Sequence, residues 1–268
     1  MDQHAARPPT ELVSPATVSV FVERLTTLDF SYVCAEHGLS GQTWIADLEL
    51  TGQLGPEGMV LDFGNIKSEI KADLEALWDH KLVVPLDMPN LQFHEDVTNE
   101  TITWVDTKAR QWRHVGPKIS TYTITTSELC IQTMIEVAQQ TLAQKWQTKG
   151  IATLKLHLYE EKGDGAFFQY SHGLRLHKGA CQRIAHGHRS QVQVYCGSPE
   201  QYNLNPVIAQ QLAVLFSHSY LLDRSNVISQ QNGQIILGYT APEGDFELEV
   251  PSSRATMLAK ETTIEHIA

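Results

Sequence analysis

Residues Cys181 to Val194, CQRIAHGHRSQVQV, set two histidines either side of one glycine at the head of a run that alternates polar and apolar. Residues two apart in a strand share a face, so His186 and His188 turn both imidazoles to one side, that of Val192 and Val194. His172 ends the preceding strand-like run and can add a third imidazole from across the pair. Three neutral imidazoles with one open position are the ligand set of a catalytic zinc ion. Cys181 then stands beside such an ion, free to act rather than to ligate. The chain has 12 histidines, and an HxH pair also arises by chance in a polar turn. What sharpens this pair is the upstream histidine together with a nearby cysteine. His37, His94, His114, His157, His177 and His218 read as surface or loop residues. A further candidate is Glu160, which shares the parity of Leu154, Leu156 and Leu158 in LKLHLYE and so points inward. An inward carboxylate needs a partner; the alternative is a solvated group at a strand end.

Several elements must position these groups. VSVFVERLTTLDFSYV is β-rich, and QTWIADLELTG alternates with Trp44, Ala46, Leu48 and Leu50 on one face. The two read as an antiparallel pair, with GPEGM as the turn that follows. From Asp62 the period lengthens, and Ile66, Ile70, Leu74 and Leu77 form a helical stripe that PLDMPN ends. Residues 92–124 are polar and read as a hairpin or long loop. TTSELCIQTMIEVAQQTLAQKW is a second amphipathic helix, its Thr/Ser residues before Glu128 resembling an N-cap. TLKLHLYEE is a strand, KGDG a turn, and AFFQYSHGLRL the next strand.

The bulk properties narrow the field. A 268-residue chain that is 42% hydrophobic can bury a substantial core. A formal charge of −11 argues against nucleic acid, whose phosphates need a cationic surface. The opening MDQHAARPPTELVSPA lacks a basic start before an apolar stretch, and no apolar run approaches the ~20 residues that cross a bilayer. Cys34, Cys130, Cys181 and Cys196 have no scaffold spacing, so a reducing cytoplasm is the expected setting.

The chain also repeats itself. FSYVC lines up with FQYSH, SGQTWIADLEL with HGHRSQVQVYC, LWDHKLVV with LLDRSNVI, and TTSEL with TTIEH at Thr262 to His266, all in one order. With these residues in hand, the sequence resembles the 6-pyruvoyltetrahydropterin synthase and 6-carboxytetrahydropterin synthase family, the tunnelling (T-) fold. GMVLDFGNIK, from Gly58 to Lys67, is the most specific match. WDHKLVVP holds an Asp-His pair, Asp79 and His80. TTSEL stands for the family's PTxEN helix start, which gives Thr126 and Glu128 a substrate-binding role. LHLYEE puts Glu160 at the pterin-anchoring glutamate.

This resemblance implies an α+β protein of tandem T-fold repeats, antiparallel sheets with helices packed on one face. It divides the chain into a flexible tail over 1–17, a first repeat over 18–166 and a C-terminally incomplete second repeat over 167–268. The first repeat has Cys34, Ser40 and Gln42 where zinc ligands stand, but keeps Asp79, His80 and Glu160. The second keeps His172, Cys181, His186 and His188, while Asp223 and Arg224 replace its Asp-His pair. The expectation is one composite site, with zinc on three histidines and with Cys181, Asp79 and His80 moving protons. The implied substrate is 7,8-dihydroneopterin triphosphate, taken by a cytoplasmic homo-oligomer that binds neither nucleic acid nor membrane. By analogy the favoured product is the 6-carboxypterin of queuosine synthesis. The alternatives are 6-pyruvoyltetrahydropterin synthesis, another pterin side-chain lyase, a non-catalytic zinc- and pterin-binding protein, or a structural homodimer.

Overall fold

The computed structural model describes residues 17–54, 63–197 and 203–257. The β-rich opening forms β1 (Thr17–Cys34) and β2 (Gly38–Gln53), antiparallel from Thr17↔Gln53 to Cys34↔Gly38 with one irregularity between Val22 and Thr26. Helix α1 (Phe63–Trp78) follows, and its Ile66, Ile70, Leu74 and Trp78 are buried on that sheet. The stripe thus ends on Trp78, and Leu77 packs at its margin. Each step of four residues advances about 40° round the helix, so the buried face winds along α1 and ends on Trp78 rather than on Leu77.

Residues 92–124 are largely strand rather than loop. They include most of β4 (Leu91–Glu95), β5 (Asn99–Val105) and β6 (Gln111–Pro117), and all of β7 (Thr121–Ile124), after the short β3 (Leu82–Pro85). Their apolar members alternate with polar ones, so Ile102, Trp104 and Trp112 are buried while the sequence average looks polar. Helix α2 (Ile131–Gln147) begins later than the Thr/Ser signal suggested. Cys130 is its N-cap, the sulfur accepting from the Thr133 N–H. Thr126 Oγ1 is instead engaged by its own turn, donating to the Glu128 carbonyl at 2.8 Å. Strand β8 (Ile151–Tyr159) then pairs with β2. The five-stranded sheet runs β7-β3-β1-β2-β8, with β1, β3 and β7 parallel. It is therefore mixed, not purely antiparallel.

Strand β9 (Ala166–His172) opens a second sheet with β10 (His186–Val192). A short ribbon of β11 (Tyr195–Cys196) and β12 (Asn203–Leu204) leads into helix α3 (Pro206–Phe216), which Asn205 caps and Pro206 starts. Strand β13 (Ser219–Leu222) lies parallel to β9, and after β14 (Val227–Gln231), β15 (Gln234–Ala241) and β16 (Gly244–Pro251), β17 (Ala255–Met257) lies parallel to β13. The order β10-β9-β13-β17 thus repeats the pairing β2-β1-β3-β7. Because β8 ends the first sheet and β9 opens the second, no strand has to serve both. Strands β16 and β6 pair across the halves, giving one six-stranded sheet β14-β15-β16-β6-β5-β4. No described helix is long and apolar enough to cross a membrane.

The registers correct two of the expected correspondences. Ser40 lies opposite Tyr32 and Gln42 opposite Phe30, while His186 lies opposite His172 and His188 opposite Tyr170. Tyr32, not Cys34, therefore answers to His172. His80 and His218 both have positive φ, 56° and 58°. Both donate their N–H, at 2.6 Å, to the first strand of their half, to Asp29 O and Gln169 O. Ser217 and His218, rather than Asp223 and Arg224, thus stand where Asp79 and His80 stand. Asp223 instead caps the turn after β13. Of the quoted matches, TTIEH and residues 58–62 of GMVLDFGNIK lie outside the described residues.

Candidate metal and catalytic centre

The pairing of β9 with β10 places His172 directly opposite His186, and His188 two residues on. Their ring centroids lie 4.3 Å (His172–His186), 4.9 Å (His172–His188) and 5.5 Å (His186–His188) apart. One nitrogen from each falls within 4.8 Å of the others. Burial pushes His172 down to about 3 and His186 well below the ordinary histidine range, so both rings are neutral at pH 7.

The hydrogen bonds assign the tautomers. His186 Nδ1 lies 3.0 Å from the Arg183 carbonyl, which can only accept, so Nδ1 carries the proton and Nε2 the lone pair. That Nε2 is buried without a partner among the described residues, as are both nitrogens of His172. Buried nitrogens that converge with nothing to bond are costly unless something occupies the space between them. The donor set, three imidazole nitrogens, suits zinc.

A second triad shares His186. Atoms of His80, Cys181 and His186 also lie within 4.8 Å of one another, and the His80 and His186 rings are 5.1 Å apart. The turn after α1 delivers His80, and a short helical turn after β9 delivers Cys181. Asp79 Oδ2 sits 2.7 Å from His80 Nδ1, which leaves His80 Nε2 free. Burial alone would lower the His80 pKa, but the hydrogen bond and charge of Asp79, with the charge of Asp29, raise it overall. Burial and then the charge of Asp79 push the Cys181 thiol up, so it is protonated at neutral pH in the metal-free protein. The fold therefore brings together His172, His186, His188, Cys181, Asp79 and His80.

The other expected site residues lie elsewhere. Glu160, just past β8, accepts from Gln42 Nε2 at 2.8 Å and pairs with Arg189 Nε at 3.2 Å. It lines a cavity of about 180 Å³ with Phe30, Tyr32, Trp44 and Met134, and no member of the two triads lines that cavity. Thr126 and Glu128 form the turn before α2, Glu128 exposed.

Two residues that support the centre carried no sequence signal. Asp29 Oδ1 lies 3.3 Å from His188 Nδ1. Buried Arg183 makes a two-pronged pair with Glu243 at 2.8 and 2.9 Å and reaches the Asp79 and His80 carbonyls at 3.4 Å. An isolated Asp in a β-run and an Arg whose partner is 60 residues away have no local pattern to betray them. Two histidines read as surface groups are also placed inside. His114 is buried in β6, and His218 is half-buried, stacked on His37 at 3.6 Å and bonded to Ser40.

Residues 34–169, half of the chain, match the family model of 6-pyruvoyl tetrahydropterin synthase. The chain belongs to the 6-pyruvoyl tetrahydropterin synthase family. Two similar solved structures are 6-pyruvoyl tetrahydropterin synthases of Plasmodium vivax and Plasmodium falciparum. The first is 18% identical over 56% of this chain and 94% of its own, with a TM-score of 0.39. The second is 17% identical over 55% and 93%, with a TM-score of 0.41. No curated protein sequence matches the chain. The match to 6-pyruvoyl tetrahydropterin synthase overturns the expectation of a 6-carboxypterin product for queuosine synthesis. That expectation rested on the retained cysteine, which suits either outcome, and on analogy.

Proposed function

We propose that this chain is a zinc-dependent pterin side-chain lyase of the 6-pyruvoyltetrahydropterin synthase type, acting on 7,8-dihydroneopterin triphosphate. The observation that carries the proposal is the sharing of His186 between a three-histidine cluster and a Cys-His cluster whose histidine comes from the other half of the chain. The recurring strand order supports reading the chain as two T-fold copies, 18–166 and 167–268, that build one centre between them. Family membership supports a homo-oligomer in the cytoplasm, and the net charge of −11 supports a small molecule over nucleic acid as ligand.

In this reading His172, His186 and His188 hold the ion. Bound zinc lowers the pKa of a hydroxyl group that it polarises. Cys181 passes its thiol proton to the free Nε2 of His80, and Asp79 steadies the imidazolium that forms. The thiolate then takes a proton from a side-chain carbon of the substrate. Elimination breaks one C–H and one C–O bond: the proton ends on Cys181, and the triphosphate leaves with the electron pair of the C–O bond. The elimination leaves an enol; His80 protonates it at the carbon that held the triphosphate, and the enol O–H proton is released, which gives one ketone. The carbinol beside the ring becomes the second ketone by internal transfer: its C–H and O–H protons are lost through the same Cys181–His80 pair, and the electron pair with two protons reduces the ring C=N bond, so no outside oxidant is needed. Glu160 is our proposal for holding the pterin ring; for Thr126 and Glu128 a substrate-binding role rests on the family motif alone. A carboxylate in an aromatic-lined cavity matches an amino group beside a ring N–H. Its Arg189 partner adjoins His188 and links that cavity to the metal-bearing strand.

Zinc-loaded Cys181→Ala and His80→Ala should each lower turnover of 7,8-dihydroneopterin triphosphate by about 10²–10⁴-fold. Zinc content by elemental analysis should be unchanged, and the wild-type product should have the mass of 6-pyruvoyltetrahydropterin. Normal turnover in either variant rejects the composite centre. Zinc bound with no product formed from any pterin triphosphate rejects the enzyme.

A further inference from the structure

Asp29 touches both clusters at once. Its side chain faces His188, with Oδ1 3.3 Å from Nδ1. Its main chain faces the other cluster: the N–H donates to Asp79 Oδ1 at 3.0 Å, and the carbonyl accepts the His80 N–H at 2.6 Å. Thr43 fixes the carboxylate. The Thr43 hydroxyl accepts the Arg189 N–H at 2.9 Å, so its own hydrogen is free to point at Asp29 Oδ1. An ionised carboxylate accepts only, so His188 Nδ1 must carry the proton and Nε2 the lone pair.

The other half of the chain supplies an internal comparison. There Gln169 O accepts the His218 N–H at the same 2.6 Å, so the main-chain bond does not require an acid at this position. Gln169 and His218 belong to the half-site where Tyr32, Ser40 and Gln42 replace the three imidazoles. The acid is present only on the side that faces histidines.

We infer that Asp29 is a positioning residue: its carboxylate sets His188 as the Nδ1–H tautomer with Nε2 aimed into the cluster, while its main chain ties that imidazole to Asp79 and His80. The inference rests on the metal reading above and adds to it the residue through which the first half orients a ligand of the second. Carboxylate partners of metal-bound histidines raise ligand basicity and hold the ring, and their loss typically weakens metal binding about 10–100-fold.

The test uses the full chain and two readouts. Zinc affinity is measured by competition with a chromogenic chelator, and the His188 tautomer is read in the metal-free protein by long-range ¹H–¹⁵N NMR. Asp29→Ala should weaken zinc by about 10–100-fold and move His188 away from pure Nδ1–H. Asp29→Asn, which keeps the size and the main-chain bonds, should show a smaller loss in the same direction and serves if the alanine variant fails to fold. Unchanged affinity and an unchanged tautomer in the folded variants overturn the inference. If wild-type protein binds no zinc, the metal reading itself falls, and the tautomer alone then decides the role of Asp29. A His188 that is Nδ1–H in wild type and shifts in Asp29→Ala upholds it; an unmoved His188 overturns it.

Discussion

Asp79 does two separate things. Oδ2 holds His80 Nδ1 at 2.7 Å, and Oδ1 accepts the Asp29 N–H at 3.0 Å. An amide in its place can keep one of these contacts but not the charge that raises the His80 pKa. Asp79→Asn should therefore lower the pH at which the His80 imidazole titrates in metal-free protein, read from its Cε1–H shift. Turnover at neutral pH should fall by about 10²–10⁴-fold, because the imidazolium formed on proton transfer loses its counter-charge. A His80 titration that does not move would remove Asp79 from the relay. Much of the centre is legible residue by residue. His186 and His188 at period two, His172 at the strand end and Cys181 between them are local signals, and Asp79–His80 is carried by the family motif. Asp29 and Arg183 are not legible, since each acts on a partner brought close only by tertiary packing, His188 for one and Glu243 for the other.

At the scale of elements, alternation and helical stripes locate β1, β2, α1, α2, β8, β9 and β10, because each buries one face. What fails is registration. Matching FSYVC to FQYSH pairs Cys34 with His172, two residues away from the position that the strand register gives, and a shift of two keeps the inward face and so leaves no trace in the hydrophobic pattern. Pairing between sheets leaves no such pattern either. Strands β2 and β10 meet at Gly41 and Gly187, where the absence of side chains lets the backbones approach. A Cβ on Gly41 would lie 1.9 Å from the Tyr170 carbonyl oxygen, and one on Gly187 would lie 2.5 Å from Gly41 Cα. Both obstacles are backbone, which cannot rotate away. Gly187→Ala should destabilise the fold by about 3 kcal/mol or more in urea unfolding. Gly233→Ala, at φ +75° in a hairpin with nothing within 4 Å, should cost only the left-handed strain of about 1–2 kcal/mol. Equal losses in the two variants would mean that the sheets do not depend on this close approach.

The whole molecule is held by a core that neither half completes alone. Val33, Trp104 and Trp112 pack in one cluster with Ile184, Tyr220 and Leu248, beneath the six-stranded sheet that β6 and β16 join. His114 sits at that join, opposite Leu248, 1% exposed and with no described partner for Nδ1. Burial pushes its pKa down to about 3. The unfolded chain protonates this residue near its ordinary value of about 6.5. Below that pH the unfolded state binds a proton that the folded state refuses, so stability is full above the unfolded value and falls on acidification until the folded pKa is reached. At pH 5 the loss from this one residue is about 2 kcal/mol, from ~1.5 pH units at about 1.4 kcal/mol each. His114→Leu removes the titrating group and keeps an apolar side chain in the core. Urea unfolding of metal-free wild type should lose about 2 kcal/mol more between pH 7.5 and pH 5 than the leucine variant does. The buried histidines of the metal cluster respond to acid in both proteins, so they cancel in that difference. The unfolding should also be a single transition, because β6 and β16 join strands of the two halves in one sheet and residues of both halves pack in the core beneath it. An equal acid loss in both proteins would show that His114 is not sealed in the join, and two separate transitions would show that the halves do not share a core.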